Sequence, residues 1–465
     1  MEAQLAAALK RIEELERKLY GRKSEKMPRP EKELRREESE EDKEARRLEA
    51  LRKRREHALL KEKLHKETVR HPVAEDAKKC PKCGAITDRP IGDGNSSPMV
   101  DYIPGYFVQR LHVQERLGCR CGQHIVTAPP PPRPLDNCQY GAGFIGYIIT
   151  MKCADAIPLY RLAKQFQRLG VFIVRSTLND LFHRAAAKLE ALYKRLIELI
   201  RLMGVVQADE TRMLMQRPNK HGFIWTFLAE NLIAYRFSAT RAGQTAADVL
   251  GGTEGTLVVD AYTGYNRVTA PDGRERAGCL AHVRRKFFDA LGSAPAEAKE
   301  AMDLILAVYR VEHKAKAAGI VRTDEHLSLR KSESADAMDR FKTWLDAQAP
   351  RHPPKSPIGE AIQYTLNQWT PLTRFLQDAA IPVDNNRSEA ALRIVALGRK
   401  NFLFVGDEDS GENLAGLYSL VATCEANRVD PIAYLADVLM RVDTHPASRI
   451  DELLPHRWKP SEPPA

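Results

Sequence analysis

The sequence predicts a multidomain α+β protein in which small N-terminal modules precede a larger mixed core. Three observations support this class. A seven-residue apolar repeat opens the chain, two close cysteine pairs follow it, and the apolar periodicity changes from helical to strand-like after residue 203. With 465 residues, of which 43% are hydrophobic, the chain is long enough for roughly two to four domains, each with its own core.

The first segment, residues 1–26, is predicted to be a coiled-coil helix. Its apolar residues fall at heptad positions while charged residues fill the rest, and these apolar residues are Leu5, Ala8, Ile12, Leu15 and Leu19. Because fewer than three heptads form only a marginal zipper, this helix can instead dock onto its own protein. Residues 27–75 carry many charges of both signs, which predicts a charged linker, either a solvated helix or a disordered chain. DNA contact by this segment, which includes "LRKRRE" at 51–56, is a second possibility.

Residues 76–127 predict a small zinc-ribbon-like β module, a zinc finger in the broad sense. The pairs "CPKCG" and "CRCGQH" flank the alternating, strand-like stretch 99–118, and each pair can aim two thiolates at one tetrahedral ion. We expect Zn²⁺ at Cys80, Cys83, Cys119 and Cys121, with His124 either a ligand or a bystander. The alternative is a β module in which these thiols only pack.

A proline-rich linker and a helical region come next. The run "APPPPRP" within residues 128–139 excludes a helix or a central strand and predicts an extended polyproline segment. Residues 140–203 have helical periodicity, with a break at Gly170 and a second helix expected to begin at Ser176 or Thr177 as N-cap. This pattern predicts a possible helix-turn-helix DNA-binding region, although helix pairs joined by glycine also occur in all-α regions without DNA.

Charge and composition indicate which kind of partner the protein binds and in which cellular compartment it works. The formal charge of +10, from 72 Lys and Arg against 62 Asp and Glu, favours a polyanionic partner, with nucleic acid first. The chain contains no window resembling the roughly 18 apolar residues of a membrane span, and its start lacks the apolar core of a signal peptide. We therefore expect a cytoplasmic protein with no membrane partner. Its eight cysteines are too sparse for a disulfide framework.

Residues 204–405 are predicted to form a ribonuclease H-like α/β catalytic core. Three strand-like runs, "GVVQADET", "HGFIWTFLAE" and "NLIAYRFSAT", precede a helix-like segment and a fourth strand-like run, "GTLVVDAYTGY". In that arrangement the first and fourth strands lie side by side, so Asp209 and Asp260 can reach the same ion. Glu389, in the first turn of a later helix, is the third carboxylate expected there. We expect a helical insertion at about 288–380 and a helical tail at 406–465.

Three carboxylates at one place suit metal-dependent phosphodiester chemistry. Two Mg²⁺ ions about 4 Å apart can activate an oxygen nucleophile and stabilise the departing 3′ oxygen. Carboxylate oxygens are the ligands that Mg²⁺, or Mn²⁺ in its place, prefers. Because a single acid at a strand end is usually only a turn former, the prediction depends on Asp209, Asp260 and Glu389 together.

Several motifs in order resemble one known family. The segments "ADET", "VVDAYTGYNRV", "GCLAHVRRKFF", "VDNNRSEAALRIVALGRKNFLFVG" and "YSLVATCEANRVDPIAYLADVL" are similar to those of the DDE transposases of the IS66 insertion-sequence family, and the resemblance covers nearly the whole chain. It implies that Asp209, Asp260 and Glu389 are the catalytic triad. Cys279 and His282 match a Cys-x-x-His signature of several DDE families, either as metal ligands or as a brace at the active-site edge.

The resemblance also implies partners. The first partner is DNA, both the terminal inverted repeats of the element and the target DNA. Copies of the same chain are expected to form a homo-oligomer on that DNA, and accessory proteins of the same element are the third kind of partner. Five basic residues near the acids in sequence are expected to neutralise phosphates, with ordinary surface charge as the alternative: Arg284, Arg285, Lys286, Arg399 and Lys400. Two other functions stay open, a catalytically inactive sequence-specific DNA-binding protein and a ribonuclease H-like structure-specific nuclease.

Overall fold

The computed structural model describes residues 43–44, 47–55, 105–118, 125–269 and 271–461. A smaller unit spans Pro28–Val108, and a larger one includes Gln109–Ala465. In the smaller unit, residues 47–55 are helical and exposed, which fits a solvated helix in the charged linker. The predicted coiled coil of residues 1–26 and the candidate zinc ligands lie outside the described residues, and these ligands are Cys80, Cys83, Cys119, Cys121 and His124.

From Gln109 onward, the larger unit contains an extended segment and a small two-stranded sheet. Strand β1 (Arg116–Gly118) pairs antiparallel with β2 (Ile125–Thr127). Within residues 109–118, only these last three form a strand, although the apolar alternation predicts a longer one. Leu111 and Val113 are exposed, so the alternating pattern there does not correspond to a buried sheet face.

Four helices form the region between the proline-rich linker and the sheet. They are α1 (Ala142–Cys153), α2 (Leu159–Arg168), α3 (Arg175–Lys188) and α4 (Glu190–Arg201). The turn between α2 and α3 includes Gly170 at φ +84°, a left-handed conformation that favours glycine.

The predicted N-cap of α3 at Ser176 or Thr177 is wrong. The N-cap is Val174, without a side-chain cap, and the helix begins at Arg175. Buried Ile173 and Leu178 occupy the two positions of a hydrophobic staple around this start. The entry of the chain into α3 therefore follows apolar packing and not a hydroxyl cap.

The core contains a mixed sheet of six strands. In chain order they are β3 (Val205–Met215), β4 (Lys220–Ala229), β5 (Leu232–Ser238), β6 (Thr256–Val258), β7 (Glu275–Ala277) and β8 (Phe404–Val405). Helix α5 (Gln244–Leu250) connects β5 to β6. The spatial order is β5-β4-β3-β6-β7, and β8 pairs with the far end of β3. The strands β3, β4 and β5 are antiparallel, whereas β6 lies parallel to β3 and β7 parallel to β6.

The first and fourth strands of this sheet, β3 and β6, lie side by side, as expected from the sequence. Val205 lies opposite Thr256, so β3 and β6 run in the same direction from adjacent starts. Both strands are buried along these residues, because Val206, Leu257 and Val258 are fully covered. The acids that follow these apolar runs therefore lie toward the same end of the sheet.

A helical segment separates β7 from the last strand. It comprises α6 (Leu280–Ala290), α7 (Pro295–Ala318), α8 (Asp324–Leu329), a π-helical turn (Arg330–Ser334), α9 (Ala335–Gln348), α10 (Pro357–Asn367) and α11 (Trp369–Thr373). The side chain of Arg330 is buried and bonds both carboxylate oxygens of Glu312, at 2.8 and 2.7 Å. It also donates to the backbone carbonyls of Phe375, Asp378 and Ile381. Arg330 thus ties the helical segment to the chain that returns to the sheet.

The last helices are α12 (Asn386–Phe402), α13 (Glu408–Ala426) and α14 (Pro431–Arg441). Helix α13 lies along β5, the edge strand of the sheet. Ser419 Oγ accepts from the backbone N–H of Tyr235 at 2.7 Å, and Thr423 Oγ1 from that of Ile233 at 3.1 Å. The helix therefore satisfies edge-strand donors that no further strand pairs. Among the described helices, none is both long and apolar enough to span a bilayer.

Candidate active site

Asp209 lies in β3, where the strand passes from buried to half-buried positions. Its Oδ1 accepts a hydrogen bond from the backbone N–H of Glu210 at 2.9 Å. Burial and, after it, the negative charges of Glu210, Asp260 and Glu389 together raise the pKa of the Asp209 carboxyl to about 8, although that hydrogen bond lowers it. The ionised form of Asp209 is therefore unfavourable without a compensating positive charge.

Glu210, the neighbouring acid, has a different environment. Successive residues of a strand point to opposite faces, and the side chain of Glu210 is only 3% exposed. Arg241 Nε donates to its Oε1 at 2.8 Å, and the Tyr265 hydroxyl donates to its Oε2 at 2.6 Å. With both oxygens bonded, Glu210 anchors the 3₁₀ turn Thr263–Arg267 that follows Asp260.

Asp260 lies two residues beyond the end of β6, the strand next to β3. Its Oδ1 accepts from the backbone N–H of Tyr262 at 2.9 Å, which closes a local turn. Arg276 Nη2 donates to the backbone carbonyls of Asp260 and Tyr262, at 3.1 and 2.6 Å. The carboxylate is thus carried by a loop that is fixed to β7.

Glu389 lies in the first turn of α12, as predicted, and its side chain is 31% exposed. The start of this helix is attached to β3, because Asn385 Nδ2 donates to the carbonyl of Ala208 at 2.8 Å. Ala208 immediately precedes Asp209 in the strand. Asp260 follows β6, the strand beside β3, and the bond to Ala208 holds the start of α12 next to Asp209, so the three predicted acids lie near one another at the carboxyl end of β6.

The three acids do not converge into a ready ligand set. In the part of the chain that the structure describes, no group of three or more His, Cys, Asp or Glu side chains is arranged to hold a metal ion. The donor chemistry nevertheless suits a hard divalent cation, since all three are carboxylates. A cation there would also offset the burial and the acidic neighbours that together raise the pKa of Asp209.

Cys279 and His282 lie beside the start of α12, which carries Glu389. Cys279 is the N-cap residue of α6, and its buried Sγ accepts from the backbone N–H of Asn385 at 3.2 Å. Burial raises the pKa of this thiol, so it is not a reactive thiolate. His282 Nε2 is 3.7 Å from Glu389 Oε1, and its Nδ1 is buried without a hydrogen-bond partner. The contact of Cys279 fits a brace between α6 and α12.

Comparison with known proteins gives three matches in chain order. The Transposase IS66 family matches residues 137–413, its C-terminal element matches residues 419–456, and the zinc-finger binding domain of transposase IS66 matches residues 77–122. The chain belongs to the IS66 transposase family. The first match contains Asp209, Asp260 and Glu389, and the third contains all four candidate zinc cysteines.

Curated relatives of this IS66-family chain come from Sinorhizobium fredii (strain NBRC 101917 / NGR234). Uncharacterized protein y4jD is 32% identical over 411 residues, which cover 83% of this chain and 79% of the relative. Uncharacterized protein y4hP is 28% identical over 416 residues, covering 83% of this chain and 74% of the relative. The similarity therefore extends over most of each protein and is not confined to one motif.

The five basic residues predicted to contact DNA have different environments in this IS66-family chain. Arg284 is fully buried, which leaves its guanidinium away from solvent, whereas Arg285, Lys286 and Lys400 are exposed. Arg399 is half-buried, and its Nη1 donates to Thr211 Oγ1 and to the carbonyl of Arg212, both at 3.0 Å. Arg399 therefore holds α12 against β3. The helical spacing of Leu280, Arg284 and Phe287 could have shown that Arg284 lies on the apolar stripe.

Sequence reasoning missed the residues that fix the loop after Asp260. These are Arg241, Tyr265, Arg276 and Tyr364. Tyr364, from α10, is bonded by the backbone N–H of Ala261, and burial together with the charge of Asp260 raises its pKa to about 12. Tyr265 lies in the motif "VVDAYTGYNRV" with Asp260, so the sequence could have indicated that it is part of the site. Tyr364 is distant in sequence, and no motif indicates its contact with this loop.

The raised pKa of Asp209 predicts a pH dependence of stability in metal-free protein. Because its folded pKa of about 8 lies above the ordinary value of 3.8, the folded protein keeps a proton that the unfolded chain releases between these values. The stability that this group contributes is present below about pH 4 and is lost as the pH rises to about 8. Relative to Asp209→Asn, the wild type should lose at most about 1.4 kcal/mol per pH unit in this range.

Chemical denaturation in EDTA at several pH values from about 5 to about 8.5 measures this difference. Added Mg²⁺ should stabilise the wild type at the upper end of the range more than it stabilises Asp209→Asn. If the free energy of unfolding changes with pH in the same way in the wild type and in Asp209→Asn, the raised pKa of Asp209 is contradicted.

Proposed function

We propose that this chain is a DDE transposase that binds the terminal inverted repeats of an insertion sequence and catalyses DNA cleavage and strand transfer. Its residues 204–405 would be a ribonuclease H-like domain with a helical insertion. The order of β3 to β7, with an antiparallel trio followed by two parallel strands, supports this assignment. The observation that supports the proposal is the proximity of Asp209, Asp260 and Glu389 at the carboxyl end of β6, in a chain of this family.

We propose that these three carboxylates hold Mg²⁺, or Mn²⁺ in its place. When bound, the ions supply an activated oxygen nucleophile and stabilise charge on the leaving 3′ oxygen. Asp209 contributes a carboxylate whose negative charge is unfavourable because it is buried and lies beside other acids, so a cation would lower its pKa. Glu389 is more exposed and approaches from a separate helix, which allows it to adjust as the ligand set forms.

The residues around the acids have distinct proposed roles. Glu210 and Arg276 hold the loop that carries Asp260, and Arg399 holds α12 beside β3. Arg285, Lys286 and Lys400 are the exposed cations proposed to contact DNA phosphates. Arg284 is left out of this set because it is buried.

The N-terminal modules would recognise and pair the DNA ends. We propose Zn²⁺ at Cys80, Cys83, Cys119 and Cys121, within the matched zinc-finger domain. The exposed face of α3 would read the inverted repeat, and residues 1–26 would join protomers on DNA. Accessory proteins of the same element are the further proposed partners.

Lys400→Gln is expected to weaken binding to DNA of any sequence and to reduce the slope of log affinity against log salt by about 1, because one phosphate contact is lost. Fluorescence anisotropy at several salt concentrations measures both quantities. Lys316→Gln, at an exposed lysine on α7, is the matched control and should bind as the wild type does. Equal slopes for the wild type and Lys400→Gln would remove this residue from the DNA surface.

The proposed function is tested with a labelled DNA end from the flanks of the element that encodes this chain, with Mg²⁺ and then with EDTA. Metal-dependent nicking that frees a 3′ hydroxyl, followed by joining to target DNA, is the expected result. A scrambled end of equal length should not be cut. Cleavage of branched DNA without dependence on the end would instead support a structure-specific nuclease, and specific binding without cleavage would support a DNA-binding protein.

A further inference from the structure

Asn385 lies where three elements of the candidate site meet. It is 1% exposed and is the residue before α12, which carries Glu389. Its side chain reaches β3 through the hydrogen bond from Nδ2 to the carbonyl of Ala208. Its backbone N–H reaches the start of α6 through the bond to Cys279 Sγ. Asn385 thus contacts all three elements that carry Asp209, His282 and Glu389.

The remaining polar atom of this side chain is also bonded. The Oδ1 of Asn385 accepts from the hydroxyl of Ser388, a fully buried residue in the first turn of α12. This second bond fixes the orientation of the amide, since Nδ2 must then face Ala208. An aspartate at this position could accept from Ser388 but, when ionised, could not donate to the Ala208 carbonyl.

We propose that Asn385 is a positioning residue that sets where Glu389 lies relative to Asp209 and thereby controls metal affinity. This inference rests on the proposed function, because it assumes that these acids share a cation. The geometry explains why one amide is suited to the role: it bonds the strand immediately before Asp209 and the helical residue immediately before Glu389. Groups that orient metal ligands typically change metal affinity by about 10- to 100-fold when they are replaced.

The test measures Mn²⁺ binding to zinc-saturated full-length protein without DNA, by electron paramagnetic resonance of free Mn²⁺. Asn385→Asp should weaken Mn²⁺ binding by about 10- to 100-fold. Cleavage of the DNA end by this variant should recover at high Mn²⁺, because ligand placement and not the chemistry of the acids is altered. A role limited to folding would lower the unfolding temperature without changing metal affinity per folded molecule.

Asn401→Asp is the matched control. Asn401 lies at the other end of α12 and donates from Nδ2 to the carbonyl of Ala156 at 3.0 Å, so the same change breaks the same kind of bond away from the acids. We expect its Mn²⁺ affinity to stay within about twofold of the wild type. Wild-type affinity in a folded Asn385→Asp protein, in a chain whose wild type binds Mn²⁺ and cleaves DNA, would overturn the inference and leave the proposed function intact.

Two further outcomes are also decisive. If the wild type neither binds Mn²⁺ nor cleaves DNA ends, the proposed function fails and the inference falls with it. If Asn385→Asp does not fold, Ser388→Ala decides, because it removes only the hydroxyl that orients the amide. Mn²⁺ binding at least threefold weaker in Ser388→Ala supports the inference, and unchanged binding overturns it.

Discussion

Asp260→Asn is expected to cleave the DNA end at least about 10³-fold more slowly than the wild type, a loss of about 4 kcal/mol of transition-state stabilisation. The substitution keeps the Oδ1 acceptor that bonds the backbone N–H of Tyr262, so the loop should keep its conformation. It removes the negative charge proposed to hold the cation. Single-turnover cleavage and anisotropy binding assays, run on the same DNA, separate lost chemistry from lost binding.

Glu389→Gln should show the same separation, with cleavage lost and DNA affinity close to that of the wild type. Glu300→Gln serves as the control, since Glu300 is an exposed acid on α7. It should cleave normally. Cleavage by Asp260→Asn within tenfold of the wild-type rate would exclude this acid from the catalytic set and favour a different metal arrangement.

Arg330→Met is expected to lower the free energy of unfolding by about 3–5 kcal/mol, one of the larger effects of a single substitution. Methionine retains much of the apolar stem but leaves the Glu312 carboxylate without its guanidinium partner. It also leaves the carbonyls of Phe375, Asp378 and Ile381 without this donor. The unfolding temperature, measured by scanning calorimetry, should fall by roughly 3–5 °C.

Lys331→Met provides the comparison for Arg330→Met, because Lys331 is the next residue of the same π-helical turn and is exposed. Its unfolding temperature should differ from that of the wild type by no more than about 2 °C. If the free energy of unfolding of Arg330→Met falls by less than about 1 kcal/mol, water must bond the carbonyls that Arg330 bonds in the wild type.

Local patterns were sufficient to predict the strands that carry the acids. An apolar run followed by an acid indicates a buried strand that becomes more exposed, and this pattern predicted Asp209 on β3 and Asp260 just beyond the neighbouring strand β6. The first-turn position of Glu389 followed from the turn residues before it. These patterns involve residues that are close together along the chain, so they can be recognised in a single sequence.

Other features depend on contacts between distant parts of the chain. The bond between Asn385 and Ala208 joins residues separated by 177 positions, and no local pattern indicates it. The same holds for Arg399, whose charge suggested DNA but whose guanidinium bonds β3. For α3, the sequence offered two hydroxyl residues as caps, whereas the apolar residues on either side of the start determined where the helix begins.

The position of α13 along β5 limits how copies of this protein can associate. An open edge strand can recruit a strand from another molecule, which leads to continuous intermolecular sheets and to aggregation. Here Ser419 and Thr423 occupy the donors of Tyr235 and Ile233, and the helix physically covers the strand. In the proposed assembly on two DNA ends, protomers would therefore have to meet through surfaces other than this edge. The same cover hinders strand exchange between copies of the protein.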